Sequence, residues 1–91
     1  MNFNLTTRPV VLTVSMGRYV QYFKRLGYAY SKDALGEYFV RGSRKLSVMA
    51  CGPAYNCFVN DQQPDGSWTL VARQINILGD ELAYKWIVLY A

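Results

Sequence analysis

The chain has no histidine, two cysteines and six carboxylates among its 91 residues. Each shortage removes a class of chemistry. Without imidazole the usual general base at neutral pH is missing, and so is the commonest metal ligand. Cys51 and Cys57 cannot by themselves close a tetrahedral zinc site. A disulfide across the intervening Gly-Pro-Ala-Tyr-Asn is geometrically open. The reading favoured here is a pair of reduced, mostly buried thiols that pack as small hydrophobes. The scarce acids give no clear catalytic pair. Asp80 and Glu81 are adjacent at a turn, Asp61 and Asp65 flank another, and Asp33 and Glu37 meet only if their segment is helical. No GxxxxGK[ST], GxGxxG or GxSxG motif occurs. The expectation is a non-enzyme with no cofactor and no metal.

Long apolar runs are missing too. The longest near the start, Val10 to Met16, is less than half of the ~18 residues that mark a membrane span. No basic segment precedes it and no small-residue cleavage site follows, so no signal peptide is expected. A cytoplasmic protein with no membrane contact is therefore expected, of the host cell if the chain is viral.

What is present is enough for one core. A hydrophobic fraction of 52% with 18% charged residues excludes a disordered tail and suits a single small domain. Residues 1–8 read as a loose N-terminal segment, and Pro9 suits the first position of a strand over Val10–Val14. Ser15 then caps a helix that ends at Gly27. Met16, Tyr19, Val20, Phe23 and Leu26 form its apolar stripe, with Arg18, Gln21 and Arg25 opposite. Tyr28 to Gly36 is ambiguous, with one short helical turn over Ser31–Leu35 as an option.

Glu37–Arg41 and Arg44–Val48 are extended runs around Gly42-Ser43, the signature of a type II′ hairpin. That turn pairs Arg41 with Arg44, Val40 with Lys45, and Phe39 with Leu46. Phe39, Leu46, Val48 and Ala50 then share the core face. Tyr55–Asn60 continues as a third strand, and Gln63-Pro64-Asp65-Gly66 makes another turn. Trp68–Leu78 is a long strand whose alternation slips near Arg73-Gln74, as at a bulge. The last stretch, Ala83–Tyr90, is aromatic, β-branched and free of Gly and Pro. It reads as a strand inside the sheet, with Tyr84, Trp86, Val88 and Tyr90 on one face. The fold class is α+β: an antiparallel sheet of about five to six strands, with one amphipathic helix near the N-terminus on one face.

Charge is unevenly divided. Residues 1–45 hold eight basic side chains against Asp33 and Glu37, a net of +6, and residues 46–91 hold two against four, a net of −2. Such asymmetry points to an anionic partner for the first half. The expected patch comprises Arg18, Lys24 and Arg25 on the helix and Arg41, Arg44 and Lys45 on the hairpin. Tyr22 and Tyr38 are its aromatic contacts. The opposed Arg41 and Arg44 repel each other, and a bound carboxylate or phosphate would relieve them. The stretch Leu35–Gly42 departs from the RNA-recognition signature at four positions. By elimination the chain reads as a small binding module of the inhibitor or adaptor kind that viruses and mobile elements encode. Its partner would be a larger protein or protein–nucleic-acid complex with an anionic surface. The alternatives are a nucleic-acid-binding protein with a basic, aromatic patch and a structural subunit of a larger assembly.

Overall fold

The structure is a computed structural model that describes residues 8–91, with side chains from residue 17 onward. Residues 1–7 of the expected loose segment lie outside the described residues, Arg8 is helical rather than loose, and the place of Met16 in the stripe concerns a side chain that is not described. Helix α1 spans Arg8–Arg25, and five strands follow: β1 Ala29–Lys32, β2 Gly36–Arg41, β3 Arg44–Cys51, β4 Ala54–Gln62 and β5 Trp68–Ile77. Helix α2, Asp80–Val88, closes the chain. Each strand pairs antiparallel with the next, so the sheet runs β1-β2-β3-β4-β5.

The central hairpin follows from its turn. Gly42 has φ +57°, and Ser43 is not among the residues with positive φ, as a type II′ turn requires. The pairs Arg41–Arg44, Val40–Lys45 and Phe39–Leu46 form as the turn implies. At the far end of β2 the backbones come close. A Cβ on Gly36 would lie 2.4 Å from the Val48 carbonyl oxygen, so only glycine fits there. The segment before it makes no helical turn. Asp33 accepts from the N–H groups of Leu35 and Gly36 at 2.9 and 3.1 Å. That aspartate turn folds Tyr28–Gly36 back as β1 against β2.

Strand β5 is bulged as expected, but on either side of Arg73-Gln74 rather than at it. Val59 pairs with Ala72 and Asn60 with Leu70, which leaves Val71 extra. Further along, Ile75 and Asn76 together oppose a single β4 residue. Asn76 takes φ +59°, and its N–H donates to Asn56 Oδ1 at 3.0 Å.

Two expected strands are helical. Val10–Val14 lies inside α1. Pro9 falls in the first turn, where its missing N–H is not needed. The β-branched residues that follow cost only a few tenths of a kcal/mol each in a helix. The C-terminal stretch is α2, not the innermost strand. Asp80 and Glu81 occupy its first turn, where negative charge suits the helix dipole. Lys85 lies 3.9 Å from Glu81 across one turn. Ala83, Tyr84 and Ile87 are buried at helical spacing, while Leu82, Lys85 and Leu89 face out.

The core lies between the helices and one face of the sheet. Phe23 of α1, Phe39, Leu46, Cys57 and Val59 of the sheet, and Ala83 and Ile87 of α2 are completely buried. Phe39 is the hub. Its ring centroid is 4.5 Å from Phe23, 5.2 Å from Tyr30 and 6.1 Å from Tyr84. Such aromatic pairs contribute about 0.5–1.5 kcal/mol each beyond the area they bury. The expected stripe on α1 packs inward, with Tyr19, Val20 and Leu26 against this cluster.

Candidate binding surface

Strand alternation and register assign each residue to a face. Tyr30, Phe39, Leu46, Val59 and Ala72 form one continuous row across all five strands, and this row faces the helices. Ser31, Tyr38, Ser47, Phe58 and Arg73 form the corresponding row on the opposite face. Ala29, Val40, Lys45, Asn60 and Leu70 make a second row beside it. Both helices pack on the Phe39 side, so among the described residues nothing covers these two rows. Tyr38 and Phe58 are half-buried with Ser47 closed between them, and Arg73 is exposed. Trp68, paired with Gln62, continues the same face. Lys45 Nζ sits 4.9 Å from the Trp68 ring centroid.

Neither open row contains a carboxylate. Glu37 and Asp61 belong to the helix-facing rows, and Asp80 and Glu81 to α2. Asp65 sits in the β4–β5 turn, where Ser67 donates to it through N–H and hydroxyl. Asp33, at the rim, accepts from the Tyr38 hydroxyl at 3.1 Å. That bond raises the tyrosine's pKa, after the larger effect of burial.

The eight residues expected to form one patch divide among three places. Arg18, Tyr22, Lys24 and Arg25 line the exposed side of α1. Arg18 and Tyr22 also border a groove of about 500 Å³ between α1 and α2, together with Tyr19, Glu81 and Val88. Tyr38 and Lys45 lie on the open sheet face. Arg41 and Arg44 point to the helix side, at the end of the sheet where both helices finish. The last turn of α1 and the hairpin tip do meet there.

The repulsion between Arg41 and Arg44 is answered within the chain. Arg41 donates to the Leu26 carbonyl at 2.8 Å and lies 4.6 Å from the Tyr28 ring centroid. Arg44 grips Asp61 with two hydrogen bonds of 2.8 and 2.9 Å and donates to the Tyr90 carbonyl at 3.2 Å. Each arginine thus donates to a carbonyl just past a helix C-terminus, Leu26 after α1 and Tyr90 after α2. The hydrogen bonds from Arg44 hold the Asp61 carboxyl below its ordinary range.

The two cysteines are free and unlike each other. Cys51 is exposed, contrary to the expectation for both, because it ends β3 at a turn. Cys57 is buried, its Sγ lies 3.6 Å from the Ala83 carbonyl oxygen, and burial pushes the thiol up to about 12. No group of three or more metal-binding side chains occurs among the described residues. No helix among the described residues is long and apolar enough to cross a membrane.

Phe58, Trp68 and Arg73 are not among the residues that the sequence marks for partner contact, although all three fall in expected strands. The available signal was the hairpin register, carried from β3 into β4. Set against known protein families, curated proteins and solved structures, the chain matches none.

Proposed function

We propose that this chain is a small non-enzymatic binding module that acts by occupying a surface on a larger macromolecular partner, as inhibitors and adaptors do. The observation that supports this is the one-sided sheet. Its helix-free face carries Tyr38, Phe58 and Trp68 with Lys45 and Arg73, next to a β5 edge that exposes Leu70, Val71 and Ile75. Contiguous exposed apolar and aromatic surface on a small domain marks a contact site. The partner-facing surface is therefore the open face and its β5 border, rather than the cationic side of α1.

Capture from extracts of the cells that make the protein tests this, with two tagged variants compared to wild type. One carries Trp68→Ala and Arg73→Glu on the open face, and the other Arg18→Glu and Arg25→Glu on α1. Stoichiometric capture of one partner is expected to be lost in the first and kept in the second. The reverse result would move the site to the helix patch expected from the sequence. Retention by both would remove the reading.

A further inference from the structure

We infer that the open sheet face binds single-stranded nucleic acid, with Tyr38, Phe58 and Trp68 as base-stacking platforms and Lys45 and Arg73 as phosphate contacts. The inference rests on the binding-module reading and names the partner's chemistry. Three features of the face carry it. The first is charge. The two rows hold Lys45 and Arg73 and no carboxylate, although the chain has six. Within the rows an anion meets no carboxylate; Asp33 stands at the rim, where it accepts from the Tyr38 hydroxyl at 3.1 Å.

The second feature is the spacing of rings and cations. Phe58 is the direct cross-strand partner of Arg73, and Tyr38 lies two strands away in the same row. With neighbouring strands about 4.8 Å apart, the row spans roughly 19 Å and its two rings stand roughly 10 Å apart. A flexible single strand can place separate bases on such rings while its backbone tracks the cations. A duplex keeps its bases stacked inside and offers no ring face. Of the other polar side chains in the rows, exposed Ser31 and half-buried Asn60 are small and neutral and can bond to sugar or base edges, while Ser47 is buried between Tyr38 and Phe58.

The third feature is the contact of Lys45 with Trp68. A cation–ring contact at the surface is weak, so it is readily exchanged. A base arriving on Trp68 displaces the ammonium group, which moves onto the adjoining phosphate. The β5 edge is less suited to an added peptide strand. Bulges at Val71 and at Ile75-Asn76 leave only Ala72–Gln74 in regular register between them.

The experiment is a fluorescence-anisotropy titration of the full chain into labelled oligothymidylate and oligouridylate of about twelve nucleotides, a length within known single-strand site sizes. A duplex of equal length serves as competitor. Saturable binding to the single strands and weaker binding to the duplex are expected. With two phosphate contacts, log Kd should change with log salt by a slope near ~1.4 in magnitude. Lys45→Ala should reduce that slope by about 0.7, and Trp68→Ala should weaken binding about tenfold or more. Arg18→Ala with Arg25→Ala should leave both unchanged. In a Trp86→Phe background, the remaining Trp68 emission should change on binding. Circular dichroism establishes that each variant is folded.

Two outcomes overturn the inference and are told apart by the capture experiment repeated with nuclease. If no single strand binds saturably, yet nuclease-resistant capture still depends on Trp68 and Arg73, the partner is a protein and the binding-module reading stands. If neither measurement depends on those residues, both fail.

Discussion

The two faces of the sheet use the same strands and reach opposite ends. One row, Tyr30-Phe39-Leu46-Val59-Ala72, is sealed by α1 and α2. Its neighbour, Ser31-Tyr38-Ser47-Phe58-Arg73, is covered by neither helix. Both contain phenylalanine and tyrosine. The difference is what lies above them, because aromatic content alone does not decide whether a ring is core or contact surface. On the covered face Phe39 meets three other rings and has no exposed area. On the open face Phe58 is flanked by Ser47 and Arg73. One face is buried under both helices and the other lies away from them.

The sharpest way to break this comparison is to truncate one phenylalanine on each face. Phe39→Ala should cost roughly 3–5 kcal/mol, a large part of what a domain this size has to lose. Phe58→Ala should cost much less while impairing partner binding. Urea denaturation with matched m-values measures both. Equal losses would mean that the open face is as much core as the covered one.

A smaller effect should come from the rim of the covered face, where Arg44 holds Asp61. The carboxyl is below its ordinary range because of the hydrogen bonds from Arg44. Its contribution is therefore present above the ordinary carboxylate pKa and is lost as pH falls through the lower folded value. Between about pH 5 and about pH 2, Asp61→Asn should lose stability less steeply than wild type. Parallel pH profiles for the two proteins would show that the pair does not contribute.

The least disruptive comparison uses the two thiols. At pH 8 to 9, native protein should take one alkyl group, on exposed Cys51, because burial keeps Cys57 protonated and out of reach. Denaturant should expose the second. Mass spectrometry after a timed reaction reads this directly. Two groups on folded protein would show that the covered face opens on the timescale of alkylation.

The amino-acid sequence by itself determined the parts governed by neighbours along the chain. Gly42 followed by Ser43 dictates a turn, and that turn dictates the pairing of Arg41, Val40 and Phe39 with Arg44, Lys45 and Leu46. The spacing of Tyr19, Val20, Phe23 and Leu26 is itself a helix face, and all four pack inward. Of the eight residues marked in the sequence for partner contact, only Tyr38 and Lys45 reach the open face. Ala83–Tyr90 shows the limit. Its aromatic and β-branched composition suits a strand, but Ala83, Tyr84 and Ile87 also line up on one side of a helix. Packing against Phe39 and Tyr19 brings out the helix. The same holds for Arg41 and Arg44, whose charges looked unanswered until two helix ends and Asp61 were brought to them. The open row was decided only by tertiary structure. It depends on register carried through four strand pairings and two bulges, and on both helices settling on the other side. Those are contacts between residues far apart in sequence, and local pattern does not encode which face of a sheet will be covered.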